Sequence, residues 1–540
     1  KRTITKYESQ LEETPFAKGS NGMALRGPVM EDDLTTLIVN SHQPVDGQNA
    51  WYEAHVVSDE GWNFIGATFP GGITPFLGTN EHLGWTHTLN YPDFTDVYKL
   101  VMHPDEKLKY RFDGEWYDLE ERKFKFKVKV AGIKLPISRT FYWSKYGATL
   151  KTKDGFYSVR FPANMGIGSG EQWYRMNKAQ NFNEFEDALR LQGISGINVI
   201  YADDKDNIYY LSNGHLPKRA SGYNWKEVLP GDTSRTLWKP NWKPIDSLPQ
   251  YFNPECGWLF NTNNSPFLAT CEENNLDPRD FDSKNGHLLW HNNRSLRYSG
   301  LVEDALSNTG KMSYEKLKEI KYDTKWGDPA YSFLVTNLDT IFHMDPAAHP
   351  KIADALKVLN EWDRNSNPEN TGAGLFSLVV VYALEYLVEE GRILFPNELN
   401  EEEFEEIITD AQKHMKKHFG DLNTPLGEIQ RLVRGKQDWP VGGNVDVLAA
   451  LNTAEWKGGK RRAAVADCYI QFVRYTPEGV LLETVNTFGA SNREGSPHYA
   501  DQVELYLNHQ LKPMTLDWDA VKKAAKLTYY PGQIDYNKTY

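Results

Sequence analysis

Ser20 stands between Gly19 and Asn21, so the first chemistry to weigh is a hydroxyl nucleophile and the base it would need. A serine hydroxyl is a weak nucleophile until something takes its proton. The commonest device on an α/β sheet is a strained G-x-S-x-G elbow. None occurs: GISGI around Ser195 and GIGSGE around Ser169 lack a glycine at the required offset and read as turns. A serine at a chain terminus solves the problem differently. Its own α-amine, with an intrinsic pKa of about 7.7–8.0, serves as base near neutral pH. Cutting the Gly19–Ser20 bond would create such a residue, although Gly-Ser-Asn taken alone is a common turn tripeptide.

Other chemistries find little support. His414 and His418 share a helix face at zinc-ligand spacing but lack the glutamate of H-E-x-x-H. No P-loop and no G-x-G-x-x-G cradle a phosphate or dinucleotide, so hydrolysis that requires no cofactor is the default enzymatic expectation. Three cysteines are too few for a disulfide scaffold, and Cys256 with Cys271 is the one pair open to bonding. The formal charge of −13 disfavours non-specific binding to nucleic acid or to anionic membrane surfaces.

The elements that must position Ser20 are strands. The polar stretch 1–19 has no apolar periodicity and reads as a linker or the end of an upstream segment. From Leu37 to about Leu100, runs such as TLIVN and FIGATF are separated by Gly, Pro and Asn clusters, the pattern of strands and turns. KFKFKVKV, residues 123–130, alternates without a break and predicts a half-exposed strand. Strands recur from Gly193 to Phe260 and in CYIQFVRYT and VLLETVNTF, with a closing helix near Asp517–Leu527. Between about 300 and 430 the apolar spacing turns helical, and EEEFEEIITDAQKHMKKHF places acids first and bases last, as the helix dipole favours. The apolar run Leu375–Val388 is shorter than the roughly 20 residues that cross a bilayer and predicts a buried helix rather than a membrane span. Strands, then helices, then strands again argue for an α+β layered fold, and 540 residues with 40% hydrophobic content allow a large core.

From Ser20 onward the chain resembles the penicillin-acylase family of N-terminal-nucleophile hydrolases. The resemblance is carried by Gly19-Ser20-Asn21, Asn40-Ser-His42, Trp51–His55, Gly66–Gly71, His82–Leu89, Asp93–Tyr98, Asn253–Pro266, Arg294-Ser-Leu-Arg297 and Ser496–Gln502. Within the family, His82–Leu89 and the segment after Asn263 look more like acyl-homoserine-lactone acylases and lipopeptide deacylases than like penicillin G acylase.

The resemblance implies a four-layer αββα sandwich with two antiparallel sheets, residues 20–540 forming the catalytic unit with a helical insertion around 300–430. It implies processing at Gly19–Ser20, Ser20 as nucleophile, His42 holding the freed amine, and an oxyanion hole made by the Leu89 backbone N–H and the Asn263 side chain, with Asn261 as second choice. Arg297 would support the substrate or the asparagine. Gln43, Phe76 and Leu89 would line an apolar acyl pocket. No cofactor is required, although Asp93 and Asp96 match carboxylates that bind calcium in part of the family. The implied partners are a small-molecule N-acyl amide and a shorter upstream chain from the same precursor, in a periplasmic or secreted bacterial setting. A penicillin- or cephalosporin-type amidase, and a processing-defective homologue that only binds acylated ligands, are the alternative readings.

Overall fold

The computed structural model describes residues 19–533 apart from 131, 333, 393–395 and 531, so the linker expected over 1–19 lies, but for Gly19, outside the described residues. Two sheets stack at the centre. One has nine strands, with Trp258–Asn261, Gly19–Leu25, Thr35–Pro44 and Arg461–Thr476 side by side in that order. The other has seven and runs from Gln250–Phe252 through Asn198–Asp203 and Leu83–Thr88 to Tyr52–Ser58. Among the described residues of these two sheets, pairing is antiparallel except where Gln430–Arg434 joins Arg461–Thr476.

The layering follows from strands that are apolar on both faces. Ala24, Leu37, Val39, Leu259, Tyr469 and Val473 point into the space between the sheets, where they meet Ile65, Ala67, Ile200 and Ala202. Their sequence neighbours Met23, Ile38, Phe260, Ile470 and Phe472 point the other way, onto Tyr298 and Val302 of helix Asn293–Leu306 and Leu317 and Ile320 of helix Tyr314–Lys321. On the far side, Phe64, Trp85, Val199 and Tyr201 meet Met176, Phe185 and Leu189 of helices Ser169–Lys178 and Phe182–Arg190. Strands covered on both faces read as continuous apolar runs, because successive side chains alternate between two buried layers. The result is helix, sheet, sheet, helix, the α+β sandwich.

Two features lie outside the four layers. Helices Ala353–Glu361, Thr371–Glu389 and Glu401–His418 enclose a separate core around Leu356, Phe376, Val379 and Ile408. Thr371–Glu389, at 19 residues, is long and apolar enough to cross a membrane, yet Leu375, Phe376, Leu378 and Val379 are fully buried in that core. A third, six-stranded sheet carries Glu120–Val130 and Ile133–Ser144 at one end, an addition that strand patterning alone does not assign to any sheet. Cys256 and Cys271 are joined in a disulfide and Cys468 is buried and free.

Candidate active site

Ser20 is the second residue of an interior strand of the nine-stranded sheet, opposite Ser41, with Gly19 opposite His42. It shares its face with Gly22 and Ala24. A Cβ on Gly22 would meet Thr86 Cγ2 at 2.6 Å, so this face abuts the second sheet and the Ser20 side chain belongs to the layer between the sheets. Asn21 and His42 belong to the opposite, helix-covered layer. A β-bulge between Ser41 and His42 slips the register against the neighbouring strand, bringing His42 opposite Asp467. Bulges of this kind re-aim one side chain without disturbing the rest of the ladder.

His42 Nε2 lies 2.9 Å from Asp467 Oδ1, both side chains almost wholly buried. Asp467 also accepts from Asn40 Nδ2 at 3.1 Å and from the ammonium of Lys321, which has no exposure. Burial holds the His42 imidazole down to about 4 against the pull of Asp467, so it is neutral at pH 7. Burial alone would raise Asp467, but the Lys321 charge and the His42 hydrogen bond outweigh it and bring the carboxyl to about 2. An ionised Asp467 fixes the His42 proton on Nε2. The unprotonated Nδ1 then faces the Gly19–Ser20 peptide, 3.4 Å from where a Cβ on Gly19 would stand.

The second half of the site is Asn263, in a left-handed backbone conformation (φ 68°) that asparagine tolerates, with its N–H donating to Asn261 Oδ1 at 2.9 Å. Asn263 Oδ1 accepts the Ser20 N–H at 2.8 Å, and its Nδ2 donates to the Leu89 carbonyl at 2.9 Å. Arg294 completes the cage. It donates to the Ser20 carbonyl at 3.1 Å, to Asn21 Oδ1 at 3.0 Å and to Asn263 Oδ1 at 3.1 Å, while its Nε pairs with Asp446 at 3.1 Å. Asn292 and Ser295 form a capping box that starts helix Asn293–Leu306 and puts Arg294 in its first turn, beside the Ser20 strand. The Ser20 hydroxyl donates to the Gly19 carbonyl, and the His42 N–H reaches the same oxygen of Ser20 at 3.5 Å.

Several expectations change here. Arg297 lies one turn further along the helix, where its guanidinium pairs with Asp323 at 2.7 Å, and the arginine that bonds to Ser20 and Asn263 is Arg294. Leu89 meets Asn263 through its carbonyl, so in this state the asparagine amide is engaged and is not a vacant oxyanion donor. Asn261 is an organiser, accepting from Asn263, Thr88 and Asn198 at 2.9, 2.6 and 3.1 Å. Gln43 shares the Ser20 face two residues beyond Ser41, with its backbone tied to Cys468. Phe76 packs in an aromatic group with Trp51, Phe69 and Trp173, the last with ring centroids 4.5 Å apart. Asp467, Lys321 and Asp446 went unnoticed in the sequence. The visible signal for Asp467 was an acidic residue just before the apolar strand CYIQFVRYT.

Asp93 and Asp96 do not fit a calcium ion. Arg219, itself buried, pairs with Asp93 at 3.2 Å and with Asp96 at 3.1 Å, and the Trp238 N–H donates to Asp96 at 2.6 Å. A guanidinium already provides the positive charge, and calcium needs six to eight oxygen ligands. Among the described residues no group of three or more His, Cys, Asp or Glu side chains is placed to hold a metal, and His414 bonds instead to Tyr382 and the Gly459 carbonyl, at 2.7 and 2.8 Å.

With this geometry in place, the model of the family described as penicillin amidase matches residues 2–523. The chain belongs to the penicillin amidase family. It is 23% identical over 580 residues to the acyl-homoserine lactone acylase PvdQ of Pseudomonas fluorescens (strain Pf0-1), covering 98% of this chain and 73% of the relative. The protein of the same name from Pseudomonas syringae pv. tomato is 23% identical over 544 residues, covering 92% and 69%. Penicillin G acylase of Escherichia coli is 26% identical over 268 residues, 46% of this chain and 31% of that enzyme. The thermostable penicillin G acylase from Alcaligenes faecalis shares the fold, with a TM-score of 0.64, 20% identity and coverage of 95% of this chain and 99% of that one. As a member of the family the protein is an amidohydrolase acting on N-acyl amides.

Proposed function

We propose that Ser20, freed by cleavage of the Gly19–Ser20 bond, hydrolyses an amide joining an apolar acyl group to a small amine, with acyl-homoserine lactones as the first substrates to consider. The observation that carries this reading is the cage around Ser20. Asn263 holds the Ser20 nitrogen, Arg294 the Ser20 carbonyl, and the Ser20 hydroxyl lies against the carbonyl that precedes it.

In processing, Oγ adds to the Gly19 carbonyl carbon, the C–N bond breaks and the nitrogen leaves as the Ser20 amine. Water then hydrolyses the Gly19 ester, releasing the upstream segment with a new carboxylate. In turnover the amine takes the Oγ proton, Oγ attacks the substrate carbonyl, and the amine returns the proton to the leaving nitrogen. Water hydrolyses the acyl-serine ester. His42 lies on the far face of the sheet from Oγ, so its part is to hold the amine through Nδ1, oriented by Asp467 and Lys321. Asn263 supplies an oxyanion donor once its amide leaves Leu89, a contribution of about 3–4 kcal/mol in well-studied hydrolases. The upstream segment remains as a separate shorter chain, and the setting is periplasmic or secreted.

The aromatic group at Phe76 favours a second reading, an aromatic acyl group as in penicillin-type amides. Intact-mass and N-terminal analysis, with hydrolysis of a long-chain acyl-homoserine lactone and of a phenylacetyl amide, tests both. The expected result is a new terminus at Ser20 and lactone hydrolysis that Ser20→Ala abolishes. Faster phenylacetyl turnover would move the assignment to the penicillin type. An uncut chain that binds acylated ligands without turnover would refute the hydrolytic role of Ser20.

A further inference from the structure

The strand Glu120–Val130 and its partner Ile133–Ser144 form a two-stranded ribbon whose 11-residue first strand spans about 35 Å. The register pairs Lys123 with Thr140, Phe126 with Ile137 and Lys129 with Lys134. The next strand of the sheet, Gly147–Thr152, joins only at Tyr142–Ser144, so among the described residues the rest of the ribbon has no further strand beside it. Directly opposed residues share a face, which sorts the side chains. One face carries Phe124, Phe126, Ile133, Leu135 and Phe141, with Arg122 and Arg139 towards the base of the ribbon, and the other carries Lys123, Lys125, Lys127, Lys129 and Lys134.

Neither face is covered. Phe124, Phe126, Ile133, Leu135 and Phe141 are 54, 44, 65, 46 and 49% exposed. Water is a poor solvent for such a patch, and contiguous exposed apolar surface marks a docking site more often than chance. The charge is as unusual as the apolarity. Residues 120–144 hold seven Lys and Arg against two Glu, a net charge of +5 on a chain whose total is −13. The overall negative charge that argues against polyanion binding is therefore reversed at this one projection. Edge lysines also discourage strand-to-strand aggregation, but that role accounts for the cations and leaves the aromatic face unexplained.

We propose that this ribbon docks on the surface of an anionic lipid bilayer. The apolar face enters the interfacial region, and the lysines extend along it so that their ammonium groups meet the phosphate headgroups. An element with aromatic and aliphatic side chains on one face and lysines on the other lies in the plane of a membrane interface, the apolar contact and the attraction to anionic lipid acting together. Long lysine stems let the charged ends reach the headgroups from the polar face. A soluble polyanion would use only the lysines, and a second copy of the chain only the apolar face. This docking is independent of which amide is hydrolysed, and it would hold the enzyme where long-chain acyl compounds partition.

The test is flotation of the purified full chain with vesicles of phosphatidylglycerol and phosphatidylcholine, and with phosphatidylcholine alone, alongside the variants Phe124→Ser/Phe126→Ser and Lys123→Glu/Lys125→Glu/Lys127→Glu. We expect the wild type to float with the anionic vesicles and at least tenfold less with the neutral ones. Both variants should lose at least tenfold of that binding while keeping the wild-type melting temperature, since their side chains support no core. No flotation, or undiminished flotation of the Phe variant, would overturn the proposal. So would self-association in sedimentation velocity that the Phe variant abolishes while vesicles bind nothing.

Discussion

Two buried clusters in this molecule are built from the same materials and differ in where their remaining hydrogen bonds point. Arg219 with Asp93, Asp96 and Trp238 is closed: its donors end on the two carboxylates and on the Lys284 carbonyl. Arg294 with Asp446, and Lys321 with Asp467, are buried at least as deeply but open. After satisfying its carboxylate, Arg294 still holds the Ser20 carbonyl and Asn263, and Asp467 still holds His42. Burying an ion pair yields little net stability, because desolvation offsets the attraction. What distinguishes a functional cluster from a structural one is therefore not its strength but the reacting groups it orients.

The sharpest way to test that contrast is Arg219→Ala, which leaves two carboxylates without their cation. A loss of about 3–5 kcal/mol in urea unfolding is expected, while kcat/KM of the folded protein stays within threefold. Wild-type stability should not respond to a calcium chelator. If chelation lowers the melting temperature, an ion rather than Arg219 supplies the charge there.

Acid should act next most strongly, through His42. Its folded-state pKa of about 4 lies below the ordinary 6.5, so the unfolded chain binds the proton more readily. Stability attributable to His42 is complete above pH 6.5 and is lost as pH falls towards 4, to a limit of about 3 kcal/mol. His87, also buried and held down to about 4, adds a loss of the same sign. Urea unfolding at pH 7 and pH 4.5 should thus show a smaller acid loss in His42→Gln than in the wild type, and equal losses would remove His42 from the account. Arg294→Lys comes third. It keeps the charge but loses the fork that spans Ser20, Asn21 and Asn263, and at about 1.5–3 kcal/mol per charged hydrogen bond the expected fall in kcat/KM is about 100-fold. Activity within threefold of wild type would make Arg294 as structural as Arg219.

The sequence made the central strands and the partners nearest Ser20 easy to see, because TLIVN, the Asn-Ser-His run and the Asn-rich turn are local patterns. Arg294 and Arg297 are hard to tell apart in sequence because two arginines three residues apart lie on neighbouring positions of one helix. Only the capping box at Asn292 and Ser295 fixes where the first turn begins. Asp467 and Lys321 were out of reach for a different reason: they lie 146 residues apart, and a bulge, which has no sequence signature here, brings His42 opposite Asp467. Asp93 and Asp96 showed two acids at metal-like spacing, while the cation that meets them arrives from residue 219.

The smallest expected effect separates making the nucleophile from using it. A Cβ on Gly19 would stand 2.8 Å from Asn263 Oδ1, and that oxygen is not free to retreat because Ser20 and Arg294 both bond to it. Contacts that close require the neighbour to move, and moving Asn263 loosens its hold on the Ser20 nitrogen. Gly19→Ala should therefore slow cleavage of the 19–20 bond by about tenfold, a cost of about 1.4 kcal/mol, measured as the rate at which the intact mass converts to two chains. Residue 19 leaves with the upstream segment, so the processed variant should match the wild type in kcat and KM. Slow processing with normal turnover would place the crowding at Gly19 in maturation alone, whereas an equal loss in both would mean that the added methyl group distorts the cage in a way that outlasts its departure.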